Sequence, residues 1–254
     1  MTLKDQASKL REMMNAEVIK QQGACVPVAV LSCGNALGAE FARKISSKVA
    51  ANEGKKVMLI NTETEQEDIK TLIERPLLFP KLESDFLSSY TEIGDNLSHL
   101  YSHILHGTNR QEYIHTIRKI EGYKEVLFYY CGSSINAKAM NLMALSSVVV
   151  LVVDATKESV QMASDVLKLQ RKIQQHCDYV LIGNDMSSPE LDVISTFLKK
   201  ESMTSPKILI RAGGVVSFQE VISGDTEELD KLKALRIPVT RKSRTLSERL
   251  ERMK

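Results

Sequence analysis

Apolar positions along the chain follow two periods that alternate from one region to the next. Short, continuously apolar runs predict buried strands, and these are centred near Ala29, Leu59, Leu127, Val150 and Leu181. Between them, apolar residues recur every three or four positions, which is typical of amphipathic helices. This alternation predicts an α/β fold: a doubly wound, mainly parallel sheet with helices on both faces.

Two regions have a less regular pattern. Residues 95–106 predict a helix that places His99, His103 and His106 on one face. That spacing suits metal ligands, but a solvated polar stripe is the favoured interpretation because the apolar residues lie on the opposite face. Further along, a short strand is predicted at residues 207–210, followed by a turn at 212–214.

The N-terminal residues 2–20 predict a separate amphipathic helix. Its apolar face is formed by Leu3, Ala7, Leu10 and Met14. Periodicity alone favours a helix packed on its own domain, with a helix presented to a partner as the alternative. The predicted division is residues 1–22 for the helix and linker and residues 23–254 for the α/β domain.

The C-terminal residues 227–254 are highly charged and have a helical pattern interrupted by Pro238. Residues 246–253 place a few apolar side chains on one face, as in a weak membrane-surface helix. A helix that caps the domain is the favoured interpretation, so we expect membrane contact to be weak if it occurs at all.

The amino-acid composition argues against several classes of protein. A net charge of +2, 5% aromatic residues and the absence of Trp argue against nucleic-acid binding. The four cysteines are scattered without a C-x-x-C pair, which favours reduced thiols over a disulfide framework. With no signal-peptide pattern at the N-terminus, we expect a cytoplasmic protein.

Residues 26–50 have the order strand, glycine-bearing loop, helix, which is the layout of a phosphate-binding loop. A working loop needs a Lys for the phosphates and a Ser or Thr for magnesium. After Gly38 this chain has Ala39 and Glu40 instead. The Glu40 carboxylate lies in the first helical turn, where it would repel an anion. The sequence therefore predicts a nucleotide-binding fold that has lost its nucleotide chemistry.

Two other residue types at strand ends are candidates for chemistry. Asp154 ends a predicted strand, where catalytic carboxylates often lie, although turn and cap roles are common for such residues. Cys33 and Cys131 follow strands as well, and we expect small buried thiols there rather than nucleophiles.

Four segments carry a resemblance to a known family. Residues 5–11 read DQASKLR, residues 32–40 read SCGNALGAE, residues 57–63 read VMLINTE and residues 128–132 read FYYCG. The first matches a D-Q-A-x-x-L-R element, and the others lie where a deviant phosphate loop and two metal-linked strand ends would be. On these segments the chain resembles the MinD/ParA group of P-loop proteins, and within it the FlhG-type (FleN-type) flagellar-number regulators.

Where the family has its nucleotide chemistry, this chain departs from the pattern. Gly34, next to Cys33, stands at the signature lysine, Ala39 at the phosphate-binding lysine and Glu40 at the magnesium-binding hydroxyl. Asn61, Glu63 and Tyr130 replace the aspartates. Because the strands are retained while the residues for phosphate and magnesium binding are changed, the resemblance implies a pseudo-ATPase. Such a protein would have no catalytic residue, metal or nucleotide cofactor.

The resemblance also implies a function. In FlhG-type proteins the N-terminal helix stimulates FlhF, a GTPase of the signal-recognition-particle type that places flagella at the cell pole. The implied partner-binding residues here are Leu3, Asp5, Gln6, Ala7, Leu10, Arg11 and Met14. Components of the flagellar switch complex are further partners that the resemblance suggests. The alternative is a MinD/ParA-type ATPase that still binds ATP and magnesium through an altered loop.

Overall fold

The computed structural model describes residues 25–34, 38–62, 91–94, 96–101, 120, 124–173, 177–202, 208–223, 229 and 232. The predicted N-terminal helix and its candidate partner-binding residues lie outside this range, as do Glu63, His103, His106 and most of the C-terminal segment.

Eight strands form one sheet in the described part of the chain. They are β1 (Val26–Ser32), β2 (Val57–Asn61), β3 (Thr91–Gly94), β4 (Leu97–Tyr101), β5 (Val126–Tyr130), β6 (Val148–Val153), β7 (Cys177–Asn184) and β8 (Ile208–Val216). Their order across the sheet is β3-β4-β2-β5-β1-β6-β7-β8. Every neighbouring pair is parallel except β3 and β4, so an antiparallel edge strand borders seven parallel ones. The predicted doubly wound, mainly parallel sheet is confirmed.

Five described helices cover the two faces of this sheet. They are α1 (Gly38–Glu53), α2 (Ala137–Leu145), α3 (Lys157–Ile173), α4 (Ser188–Ser202) and α5 (Phe218–Ser223). Alternate residues of β1 enter opposite cores, since Ala29 belongs to the core that includes residues of α2, α3 and α4, while Val30 belongs to the core that includes residues of α1 and α5. Burial of both faces explains why the central strands are continuously apolar in sequence.

The helix predicted over residues 95–106 is wrong where the structure describes it. Residues 97–101 form β4, which pairs in parallel with β2 and places His99 opposite Leu59. Because strand side chains alternate between faces, His99 does not occupy the position on a helical face that was proposed for it. The described residues contain no group of three or more potential metal-binding side chains.

The turn predicted at residues 212–214 is also wrong. β8 continues through these residues to Val216, with a register shift where Leu181 pairs with Ala212 and Ile182 with Gly214. Gly213 is the extra residue of this bulge. A Cβ atom there would lie 2.5 Å from Val180 Cγ1 and 3.0 Å from the Leu181 carbonyl oxygen. The glycine therefore permits close strand packing and does not end the strand.

Candidate functional site

The loop that leaves β1 is tied to the ends of its two neighbouring strands. Ser32 N–H donates to the Gly132 carbonyl at 3.1 Å, and Cys33 N–H donates to the Val152 carbonyl at 2.8 Å. Gly34 N–H donates to the Ser133 carbonyl at 3.3 Å, with Gly34 in the left-handed region at φ 82°. These backbone donors are thus committed to protein carbonyls at the carboxyl edge of the sheet.

The first residue of α1 packs tightly against two buried side chains. A Cβ atom at Gly38 would lie 2.3 Å from Ser32 Cβ and 2.9 Å from the phenolic oxygen of Tyr130. Ser32 and Tyr130 are both buried. The amino end of a helix ordinarily attracts anions. Here a tyrosine and a serine from the ends of β5 and β1 lie against that end.

The first turn of α1 also carries its own ion pair. Arg43 Nε donates to Glu40 Oε2 at 2.8 Å and to Oε1 at 3.0 Å, and Arg43 Nη2 contacts the same carboxylate. The hydrogen bond from Arg43 lowers the pKa of Glu40, so this carboxylate is ionised at neutral pH. Its negative charge complements the positive end of the helix dipole.

The neighbouring strand ends are joined by hydrogen bonds as well. Asn61 ends β2 directly beside Tyr130 of β5. The next residue, Thr62, donates both its hydroxyl, at 2.8 Å, and its N–H, at 2.9 Å, to the Tyr130 carbonyl. Of the family-aligned positions, the structure therefore brings Cys33, Gly34, Gly38, Ala39, Glu40, Asn61 and Tyr130 to one edge of the sheet.

Asp154 has a local structural role in the described structure. Its Oδ1 accepts from the Thr156 N–H at 3.0 Å and also from the Thr156 hydroxyl. Its own N–H donates to Ser159 Oγ at 3.1 Å. These bonds fix the turn between β6 and α3, which is the cap role expected of such an aspartate.

Cys33 and Cys131 are buried free thiols, as predicted. Burial raises the pKa of each thiol to about 12, and the Asp154 charge adds to the effect at Cys33. A thiol with so high a pKa is neutral at physiological pH and is a poor nucleophile.

A cleft that sequence reasoning missed lies at the carboxyl ends of β7 and β8. Its volume is about 900 Å³, and three carboxylates line it, from Asp185, Glu190 and Glu220. Glu190 also accepts from the Ser187 N–H at 2.7 Å and hydroxyl at 2.8 Å, in a capping box at the start of α4. The S-x-x-E pattern at 187–190 was the available sequence signal, and it marks a helix start rather than a cleft.

Comparisons with known proteins give a fold but no sequence relative. A scan against protein-family models and a search of curated protein sequences both find no match. Among solved structures, a ParA family ATPase from Chlorobium tepidum TLS superposes with a TM-score of 0.54 at 13% identity, over 91% of this chain and 99% of that one. The chain has the MinD/ParA fold.

Two further structures give the same result. A MinC:MinD cell division protein complex from Aquifex aeolicus matches with a TM-score of 0.53 at 15% identity, over 89% of this chain and 95% of that one. A plasmid partition protein from Borrelia burgdorferi matches with a TM-score of 0.51 at 14% identity, over 78% of this chain and 97% of that one. In the described part of the chain, no helix is long and apolar enough to cross a membrane.

Proposed function

We propose that this protein is a non-catalytic, FlhG-like regulator with the MinD/ParA fold, which binds and stimulates an FlhF-type GTPase in control of flagellar number or placement. The observation that carries the first half of this proposal is the packing at Gly38. Tyr130 and Ser32 lie against the first residue of α1, where a phosphate-binding loop would present its anion site.

The charges at the start of α1 also argue against nucleotide binding. Phosphoryl transfer depends on positive groups that neutralise the phosphates. The Glu40 carboxylate is ionised and lies in the first turn of α1. A phosphate at that helix end would meet repulsion of about 1–4 kcal/mol per charge pair. Arg43, a cation in the next turn of α1, is already paired with Glu40.

Calorimetric titration with ATP and magnesium tests the loss of nucleotide chemistry. We expect no binding in the micromolar range by the full chain. The variant Ala39→Lys/Glu40→Thr restores the two residue types that a working loop requires. Any ATP affinity gained by this variant alone would support the alignment of residues 39 and 40. Micromolar, magnesium-dependent binding by the unmodified chain would overturn the proposal and favour an ATPase.

The second half of the proposal rests on the N-terminal sequence. The sequence predicts a helix in which Leu3, Ala7, Leu10 and Met14 would form an apolar stripe that suits a groove on a partner. In this predicted helix, Gln6 and Arg11 would lie beside that stripe. A glutamine can orient an attacking water, and an arginine can stabilise charge that develops on the phosphates during GTP hydrolysis. Neither role requires an ATP site in the chain itself.

Single-turnover GTP hydrolysis by an FlhF-type GTPase, with and without the full chain, tests this role. Gln6→Ala should lower the stimulated rate more than it lowers binding, because the glutamine would act in the transition state. Leu10→Ala should weaken binding by about 1–3 kcal/mol if the side chain is buried in the complex. Gln22→Ala, the same substitution outside the predicted helix, is the matched control. Absence of stimulation at saturating protein would refute the proposed partner.

A further inference from the structure

Large apolar side chains are exposed at one end of the described molecule. Val193 and Phe197 on α4 are 69% and 45% exposed, and Leu209 on β8 is 57% exposed. Among the described residues these are the exposed large hydrophobic side chains. α4 packs on β8, which is the last strand of the sheet. Isolated exposed apolar residues are ordinary, but two of these are one turn apart on the same helix.

Val193 and Phe197 belong to a stripe of four exposed residues on α4. Glu190, Val193, Phe197 and Lys200 are spaced by three, four and three residues, so they follow one line along the helix surface. The opposite side of the helix carries Leu191, Ile194 and Leu198, which are buried in the core. We call the four exposed residues the α4 stripe.

The order of residues in the α4 stripe is acidic, apolar, apolar, basic. Glu190 and Lys200 are equally distant from position 195, and so are Val193 and Phe197. If a second copy of the α4 stripe runs antiparallel to the first, Lys200 of one copy therefore faces Glu190 of the other. The apolar residues of the two copies also face each other. A parallel arrangement would instead place acid against acid and base against base.

From this self-complementarity we propose that the α4 stripe is a homodimer interface, in which two copies of this chain pair their α4 helices antiparallel about a two-fold axis beside position 195. Val193 of each copy packs on Phe197 of the other. Glu190 of each copy lies opposite Lys200 of the other. In such an isologous contact, every pairing occurs twice.

The charges of the α4 stripe are available for this pairing. Hydrogen bonds from Ser187 lower the pKa of Glu190, which is ionised at neutral pH, and its side chain is exposed. Lys200 is exposed in the last turn of α4. Because one helical stripe buries less area than a standard interface, the dimer is a weak one that forms at high protein concentration.

Sedimentation of the full chain over a concentration series, without nucleotide, measures this dimer. Lys200→Glu would place two acidic pairs across the axis and should weaken the dimer by about tenfold or more. Lys199→Glu is the matched control, since the neighbouring lysine lies off the stripe and makes the same charge change. Glu190→Lys combined with Lys200→Glu exchanges the charges and should bring the dimer affinity back toward that of the unmodified chain. Circular dichroism checks that α4 remains helical without the Ser187–Glu190 capping box.

A second variant tests the apolar half of the interface. Phe197→Ser should weaken the dimer without unfolding the chain, which circular dichroism checks, because the side chain is exposed in the monomer. Several results would overturn the proposal: a monomer at every concentration, equal effects of Lys200→Glu and Lys199→Glu, or an unchanged dimer in Phe197→Ser. A monomer would mean that the stripe is free or covered by another part of the same chain or by another protein.

Discussion

Gly38 lacks a side chain at a place where the structure has no room for one. Gly38→Ala would put a methyl group 2.3 Å from Ser32 Cβ and 2.9 Å from the Tyr130 oxygen. We expect a loss of about 1–3 kcal/mol in the free energy of unfolding from this overpacking, measured by urea denaturation. Ala favours helices over Gly by up to about 1 kcal/mol, so a net loss isolates the clash.

Ser32→Gly/Gly38→Ala is the control for that variant. It removes the nearest contacting atom while it keeps the new methyl group at residue 38. This double variant should be more stable than the sum of the two single changes predicts, since the two positions share one contact. Simple additivity would show that the methyl group is accommodated in another way.

The buried thiols predict a loss of stability at high pH. The pKa of Cys33 and Cys131 is raised to about 12 by burial, from an ordinary value of 9.0. Below pH 9 the thiols are protonated in both the folded and the unfolded chain, so the free energy of unfolding has its full value. Above it the unfolded chain loses them first, so the free energy of unfolding falls as pH rises toward 12. The slope approaches about 1.4 kcal/mol per pH unit for each thiol.

Cys33→Ala and Cys131→Ala separate this effect from other ionisations. Urea unfolding between about pH 8 and about pH 10.5 should show a smaller pH slope in each variant than in the unmodified chain, whatever the change in absolute stability. Equal slopes would mean that these thiols ionise as readily in the native state as in the unfolded one.

At the level of elements, α5 is joined to β7 by a hydrogen bond and to α1 by an aromatic contact. Asn184 Oδ1 accepts from the buried Phe218 N–H at 2.9 Å. The Phe218 ring stacks on Phe41 of α1, with centroids 4.3 Å apart. Asn184→Ala leaves that N–H without its acceptor and should lower the free energy of unfolding by about 1–3 kcal/mol. Gln219→Ala, an exposed change on the same helix, should alter it by less than about 0.5 kcal/mol.

Elements with a strong, uninterrupted pattern could be predicted from the sequence. The five central strands were found because each is a short, continuously apolar run, as expected of strands that are buried on both faces. β4 could not be recognised, since its residues LSHLY fit a helical spacing as well as a strand, and only pairing with β2 decides between them. β8 was shortened because a Gly-Gly pair usually signals a turn, whereas here it forms a bulge fitted to β7.

At the scale of the molecule, the loop site was predictable but the cleft was not. Strand, glycine loop and helix are contiguous in sequence, so the site around Gly38 could be located from a single segment. The cleft between the ends of β7 and β8 brings Asp185 and Glu220 together from different elements. No local sequence pattern predicts that these two residues are close in space, because their positions depend on the directions in which α4 and α5 extend from the sheet.

The whole molecule should not change its assembly in response to ATP. In the family that the chain resembles, ATP drives dimerisation, and this requires the phosphate chemistry that, under the proposed function, the loop residues of this chain have lost. Sedimentation profiles with and without ATP and magnesium should therefore coincide at each protein concentration. A nucleotide-dependent shift would contradict the proposed pseudo-ATPase. The homodimer interface proposed for the α4 stripe would still be tested separately, by the Lys200 and Phe197 variants.

The order of strands in the sheet has a consequence for synthesis on the ribosome. β1 is made first, yet its partners are β5 and β6, through pairs such as Val26 with Val126 and Val28 with Val148. At ordinary translation rates, the delay before β5 emerges is on the order of ten seconds. During that time the apolar run at residues 26–31 has neither hydrogen-bonding neighbour. The segment at the centre of the finished sheet is therefore, in the nascent chain, an unpaired apolar run of the kind that chaperones protect from aggregation.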